Sequence, residues 1–334
     1  MWKYECDDTR PIITAKANAQ SLHAAGGEIR LPETAMLFFM SGGVEYLNQN
    51  FDCKVITQSL PRFLQKCPVY AMGNVCFLHG GRGAPQAADT LETIHALGVK
   101  RVISIGLCGA FMPDINAGDV VVPDMALVEE GTSLHYYSHI ERAYPDAELA
   151  ARLRTALNAK RAGVVSSDAV YRQTFYKERL WRERGAACVE METSAVFSVS
   201  AYLGIKAAAA LVVSDVHPTD EGAPDWHWHM DGDMRRAALE RVVSAVVDEV
   251  VDQRGTRDVA TEYLSYLYSD EAQRIAGDNF YRPSNPDILN EYADTFDLNI
   301  NLVTIQDFGG WDEVQKKHFD DGGVFDRIYE KKDK

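Results

Sequence analysis

Two acidic segments interrupt the apolar pattern near the middle of the chain. Val189-Glu190-Met191-Glu192 runs into a helix-like stretch, and Ser214-Asp215 closes the apolar run Ala207 to Val213. Each places carboxylates where a strand gives way to a loop or helix. In open α/β sheets, ligands bind outside the carboxyl ends of the strands, and an unpaired buried charge is costly enough to need a reason. Carboxylates so placed can hold hydroxyl groups through charge-assisted hydrogen bonds, or hand a proton to a leaving group. By residue type alone, Glu190 and Glu192 equally suit the positive end of a helix macrodipole, and Asp215 equally suits an N-cap.

The elements that must position these residues follow from hydrophobic periodicity. Ala35 to Met40, Val75 to His79, Arg101 to Ile105, Val120 to Pro123, Ala162 to Val165 and Ala207 to Val213 read as strands. Ala87, Leu91, Ile94 and Leu97 recur at helical spacing, as do Ala195, Val199 and Leu203. Arg235 to Asp252 reads as a long amphipathic helix with Leu239, Val242, Val243, Val246, Val247, Val250 and Val251 in one stripe. Strand–helix alternation of this kind predicts an α/β sheet with helices on its faces. Gly80-Gly81-Arg82-Gly83-Ala84-Pro85 and Ile105-Gly106-Leu107-Cys108-Gly109-Ala110 read as glycine-rich turns after strands. Such turns let a backbone approach a ligand and aim a helix N-terminus at an anion, but a tight structural turn uses the same residues. Cys108 reads as a packed thiol rather than a nucleophile.

A length of 334 residues favours two domains, and a hydrophobic content of 46% permits a large core. The net charge of −15 argues against a nucleic-acid partner, because phosphate backbones need a basic face. The six cysteines are scattered with no C-x-x-C pair, which fits reduced thiols in a cytoplasmic protein. Charges in Met1 to Asp8 occupy the place of a signal-peptide core. No apolar run approaches the ~18 residues of a membrane helix, so no membrane partner is expected. His227-Trp228-His229, with Asp225 and Asp231, reads as part of an aromatic lid over Pro218 to Met230 rather than a metal site. Neither a metal nor an organic cofactor is expected.

Six segments occur in one order: Gly83-Ala84-Pro85; Ile105 to Ala110; Glu130-Gly131-Thr132-Ser133-Leu134-His135-Tyr136; Ser167-Asp168-Ala169-Val170-Tyr171-Arg172; Val189 to Glu192; and Val213-Ser214-Asp215. Together, over roughly residues 10–250, they resemble the nucleoside phosphorylase family, which includes purine nucleoside and uridine phosphorylases and related nucleosidases. The resemblance implies a three-layer α/β/α fold around a distorted mixed sheet. It also implies a homo-oligomer (dimer or hexamer) and a small-molecule nucleoside as substrate. Breaking an N-glycosidic bond develops positive charge on the sugar and negative charge on the departing base. By resemblance, Glu192 grips the ribose hydroxyls, Met191 packs on the sugar face, and Glu190 lies beside base or sugar. Asp215 protonates a purine ring nitrogen, with Ser214 orienting it. Cys108 and Gly109 border the nucleoside, and Tyr171 is a candidate to stack on the base; Arg172 either reaches an anionic or carbonyl group or is an ordinary surface arginine, the commoner case. The Ser-Asp pair resembles the purine-cleaving branch, and the Gln and Arg by which uridine phosphorylases read uracil are absent after Ser166-Ser167-Asp168. Val170 stands where many purine enzymes carry an aromatic residue.

The phosphate side departs from the family pattern. The G-D-P-x-R loop is replaced by Phe39-Met40-Ser41-Gly42-Gly43-Val44-Glu45, and Ser104 and Leu107 replace an arginine and a hydroxyl residue around the second glycine turn. Phosphate loses its strongest charge-assisted contacts without guanidinium groups. Arg62 is the surviving candidate, at the spacing of an arginine lent by a neighbouring subunit; Arg82 matches no phosphate arginine. Phosphate as co-substrate would give free base and ribose 1-phosphate. Water would make the enzyme a nucleoside hydrolase, although no water-activating glutamate is assignable near the N-terminus. A catalytically silent nucleoside-binding protein is a further alternative.

From about Val246 the chain resembles a second family. Arg254-Gly255-Thr256-Arg257, Tyr263 to Ser269, Asn279-Phe280-Tyr281-Arg282-Pro283, Phe308-Gly309-Gly310-Trp311 and His318-Phe319 are similar to the C-terminal end of periplasmic sulfate- or thiosulfate-binding proteins. Two domains are therefore expected: a nucleoside phosphorylase-like domain over 1–250, and a mostly helical fragment over 251–334. Most of both lobes of a sulfate receptor is missing, so a sulfate-transport role is the least favoured reading.

Overall fold

The computed structural model describes residues 9–21, 29–252 and 256–300, together with 305–308, 310, 314, 315 and 317. Met1 to Asp8, Arg254-Gly255, Gly309, Trp311 and His318-Phe319, all used in the sequence reading, lie outside the described residues. The chain divides into two compact units, Met1–Arg254 and Gly255–Lys334.

The first unit carries strands β1 (Thr34–Phe38), β2 (Lys54–Thr57), β3 (Val69–Met72), β4 (Val75–His79), β5 (Arg101–Ala110), β6 (Val120–Glu129), β7 (Arg142–Ala143), β8 (Lys160–Ser167), β9 (Ala186–Glu190) and β10 (Lys206–Val216). Its helices are α1 (Ala15–Ala19), α2 (Gly43–Asn50), α3 (Gly83–Ala96), α4 (Ala147–Leu157), α5 (Phe175–Glu183), α6 (Thr193–Leu203) and α7 (Gly232–Asp252). The sheet is mixed and closes on itself. β5 pairs in parallel with β10 and antiparallel with β9, and β10–β6–β8–β9 completes a circuit of five strands. β1, β4, β3 and β2 extend from β5 as an open wing.

Strand β10 shows why the sheet is a middle layer. It is buried from Ala207 to Asp215, as expected for a strand covered on both faces. Alternate side chains serve opposite layers. Ala207, Ala209, Leu211 and Val213 join one core with Leu91 and Ile94 of α3 and Val196 and Val199 of α6. Ala208, Ala210 and Val212 join the other with Leu47 of α2, Leu153 of α4 and Val242, Val243 and Val246 of α7. Each such aliphatic residue contributes about 1.5–3 kcal/mol on full burial. The result is the α/β/α arrangement expected from the resemblance.

Two local readings need correction. Ile105 to Ala110 is not a turn but the second half of β5, which runs to Ala110. Gly109 relieves a close approach, since a Cβ there would meet His217, whereas one on Gly106 would reach Leu211 and Phe39 only at ordinary contact distance. Asp215 is not an N-cap, because it lies within β10. Strands β2, β3, β7 and β9 were not read from periodicity.

In the second unit, α8 (Thr256–Leu267) and α9 (Asp270–Asp278) are separate helices, and α10 (Pro286–Glu291) follows. Ser269 makes the division, since its hydroxyl accepts from the Ala272 N–H as an N-cap. Gln273 gathers the following turn, accepting from the N–H groups of Ser284 (2.6 Å) and Asn285 (3.2 Å). Tyr281 to Asn285 form the turn-rich break between α9 and α10.

Candidate active site

The register of β10 against β5 shifts between Val213, opposite Cys108, and Asp215, opposite Gly109, leaving Ser214 as the extra residue. A bulge of this kind re-aims side chains at a strand end. Here it turns Asp215 into a cavity of about 820 Å³. Asp215 is 5% exposed yet fully engaged. Its Oδ1 accepts from Ser214 Oγ at 2.6 Å, and its Oδ2 accepts from Trp226 Nε1 at 2.7 Å. His217 Nε2 lies 3.2 Å from the same Oδ2. Burial acts to raise the Asp215 pKa, but the hydrogen bonds from His217, Ser214 and Trp226 outweigh it and hold the group below the ordinary value.

His217 is gripped from its other side as well, with Nδ1 2.6 Å from Glu178 Oε1. Burial disfavours the imidazolium, yet the hydrogen bonds to Asp215 and Glu178 prevail and carry the His217 pKa up to about 9. The main chain fixes the residue: the His217 N–H donates to the Ala110 carbonyl at 2.7 Å. A Cβ at position 109 would lie 2.5 Å from His217 Nε2 and 3.2 Å from Asp215 Oδ2. Glycine at 109 therefore makes room for the pair.

The other acidic segment is built differently. Glu190 ends β9, and its Oε2 accepts the Glu192 and Thr193 N–H groups, both at 2.7 Å. Ser166 Oγ donates to its Oε1. Glu190 thus caps α6, and burial raises its pKa above the ordinary value in spite of these bonds. Glu192 stands at the N-cap position of α6 without capping it. Its Oε1 instead accepts from the Gly83 N–H at 2.6 Å, at the start of α3. The anion at that helix N-terminus is the protein's own carboxylate. Burial first, then the neighbouring Glu190 charge, pushes the Glu192 pKa up to about 8.

The structure brings Cys108, Gly109, Tyr171, Glu190, Met191, Ser214 and Asp215 to one cavity, with Trp226 and Trp228 arriving from the loop after β10. Tyr171 is 94% exposed, so it has a free face. The Cys108 thiol is buried; a hydrogen bond with Cys188 and burial raise its pKa, which makes it a poor nucleophile. Arg172 is exposed and outside the lining. Arg62 is also outside it and only 2% exposed. Its Nη1 donates to the His79 carbonyl at 2.9 Å and Thr90 Oγ1 at 2.7 Å, and its Nε to the Gln65 carbonyl. Among the described residues, no Arg or Lys lines the cavity, and no three His, Cys, Asp or Glu side chains form a metal cage.

Glu178, His217 and the Trp226 bond to Asp215 were not singled out in the sequence. His217 had a weak signal, since it follows Asp215 by two residues, just past the end of β10 at Val216. Glu178 had only a weak one: it and Trp181 are the buried positions of α5, and a carboxylate on a helix's buried face needs a partner.

Comparison with known proteins gives two separate kinds of match. A family model described as the phosphorylase superfamily matches residues 43–251. A guanosine phosphorylase of Halorubrum lacusprofundi is 29% identical over 174 residues, covering 51% of this chain and 68% of that protein. The crystal structure of an AMP nucleosidase from Bacteroides thetaiotaomicron superposes with a TM-score of 0.53 at 18% identity, covering 68% of this chain and 91% of the other; at that identity it speaks for the fold alone. A thiosulfate-binding protein of Pseudomonas aeruginosa is 53% identical over 85 residues, and a sulfate-binding protein of Escherichia coli is 48% identical over 85 residues. This chain spans 26% of the length of each of those two proteins.

Proposed function

The chain belongs to the phosphorylase superfamily, and from that premise we propose that it cleaves the N-glycosidic bond of a nucleoside, with a purine as the favoured base. The observation that carries this reading is Asp215. It is a buried carboxylate at a strand bulge, held by Ser214 and linked to a protonatable imidazole, and it faces a cavity that also holds Met191 and the exposed Tyr171 ring. As the glycosidic bond breaks, its electron pair moves onto the base, and a proton delivered at a ring nitrogen lets the base leave neutral. General acid assistance of this kind is worth about 10²–10⁴-fold. Glu192 lies beside Met191, where a partly protonated carboxyl can both accept from and donate to sugar hydroxyls. The Gly83 N–H that it now accepts from would then be released toward the substrate. Trp226 occupies Asp215 Oδ2, and a bound base takes its place.

Phosphate is the first candidate for the nucleophile, supported by the superfamily and by the guanosine phosphorylase relative. A second reading, with water as nucleophile, is favoured by one observation: no Arg or Lys lines the cavity among the described residues, so a phosphate dianion would lack its strongest partners. A panel of purine and pyrimidine nucleosides assayed for free base, with and without inorganic phosphate, separates them. Phosphorolysis requires phosphate and yields ribose 1-phosphate; hydrolysis proceeds unchanged without it. Absence of base release from every nucleoside would overturn the proposal in favour of a binding protein.

A further inference from the structure

We propose that His217 is a positioning residue for the leaving group: clamped between Glu178 and Asp215, it stores the proton that Asp215 passes to the departing base. This deepens the glycosidic-cleavage reading and rests on it. The proton store is an inference from geometry. Asp215 has both oxygens occupied by donors, Ser214 on Oδ1 and Trp226 with His217 on Oδ2. A carboxyl group that only accepts has no proton to give. The imidazole beside it has a carboxylate on each nitrogen, Glu178 at 2.6 Å and Asp215 at 3.2 Å, and an imidazolium is the form that donates from both.

The surroundings are built for that form. β5 contributes the Gly109 backbone, which lets the ring approach Asp215, and the Ala110 carbonyl, which accepts from the His217 N–H. From α5, Arg182 Nη1 lies 3.9 Å from the second Glu178 oxygen, which has no hydrogen bond of its own. The Phe111 ring sits 6.5 Å from the imidazole. Glu190 and Cys108 line the same cavity. The imidazole lies directly against two buried carboxylates, Glu178 and Asp215, and its pKa near 9 keeps it charged at neutral pH.

The step balances as follows. A purine displaces the Trp226 N–H from Asp215 Oδ2. As the bond between the sugar C1′ and the base nitrogen breaks, its electron pair moves into the purine ring. The proton on His217 Nε2 moves to Asp215 Oδ2, and the proton reaches the purine ring nitrogen from that oxygen. Asp215 ends as carboxylate, His217 as neutral imidazole with its remaining proton on Nδ1 toward Glu178, and the base leaves neutral. The incoming nucleophile completes C1′, and uptake of one proton from solvent resets His217.

The test compares two substrates and one spectroscopic signal in the full chain. His217→Gln and Glu178→Gln are assayed on a purine nucleoside, whose base needs protonation, and on p-nitrophenyl riboside, whose leaving group does not. The inference predicts that His217→Gln lowers kcat on the purine nucleoside by about 100-fold or more, with a loss at least ten-fold smaller on the nitrophenyl riboside, and that it abolishes the alkaline fall of kcat near pH 9. Glu178→Gln should move that limb and the ¹⁵N titration of His217 to lower pH. Equal losses on both substrates, or an unchanged alkaline limb in His217→Gln, would overturn the inference while leaving glycosidic cleavage intact. Absence of base release by the wild-type chain, with a normal ¹⁵N titration of His217, would instead bring down the reading on which it rests.

Discussion

The two acidic segments reach their charge states by opposite means. Glu190 and Glu192 are bonded mainly to backbone N–H groups at the starts of α6 and α3. Burial pushes Glu190 upward, and burial with the Glu190 charge outweighs the pull of Arg82 and carries Glu192 to about 8. Asp215 is buried to a similar degree, yet it sits below its ordinary value because an imidazole and two neutral donors serve it. Burial alone decides nothing about charge here; the partner decides. The difference suits the two ends of a nucleoside. A sugar offers hydroxyls that both donate and accept, which a carboxyl with its pKa near 8, as at Glu192, matches. A leaving base needs a proton supplied at one atom, which an ion pair stores.

Breaking each cluster in turn sharpens the contrast. The largest effect is expected from Asp215→Asn, which keeps the shape but removes the proton path: kcat for base release should fall by about 10²–10⁴-fold, measured by free-base release with substrate affinity held close to wild type. Glu192→Gln should cost about 10–100-fold in kcat/KM, the range of a lost charge-assisted hydrogen bond. The same change should affect 2′-deoxynucleosides less than ribonucleosides, and equal losses on both would remove Glu192 from the sugar. Glu190→Ala acts on folding before chemistry. Two N–H groups of α6 lose their acceptor, and a loss of about 1–2 kcal/mol in unfolding free energy is expected by chemical denaturation.

The smallest and broadest effect is on pH. His217 has a folded pKa near 9 against an ordinary 6.5, so its contribution is fully present below pH 6.5 and is lost as pH rises through 9. Glu192, near 8 against 4.5, also binds protons more tightly when folded, so it too weakens the fold between pH 4.5 and 8. Asp215 acts in the other direction and loses its contribution as pH falls below its ordinary 3.8. The melting temperature should therefore decline from about pH 6.5 to 9, and His217→Gln should flatten the upper part of that decline.

Much of this was legible in the chain. The apolar run Ala207 to Val213 fixes a fully covered strand, and the residues after it had to meet the site at its end. The acids of Val189 to Glu192 announced a helix start and a pocket at once, and Glu190 does serve the first purpose. The limits were physical. Gly109 looked like a turn residue because close approach by His217 and reversal of the chain call for the same missing side chain. The Ser214 bulge left no trace, since an extra residue in a strand is defined by its partner's register. Glu178 meets His217 across 39 positions of sequence, and no local pattern carries that distance. The lone Ser269 cap that separates α8 from α9 was readable in principle, but apolar periodicity on either side masked it.

The closed circuit of five strands has a consequence for how the protein acquires its activity. The circuit shuts where β5 meets β9, at Gly109 opposite Val189 and Ala110 opposite Cys188, and where β5 meets β10 across roughly a hundred positions of chain. Those same pairings hold Gly109 beside His217 and bring Asp215 to the cavity. Contacts so remote in sequence form late and slowly. On dilution from denaturant, helical signal should return before the ability to release base, and the interval between the two measures the time taken to close the ring.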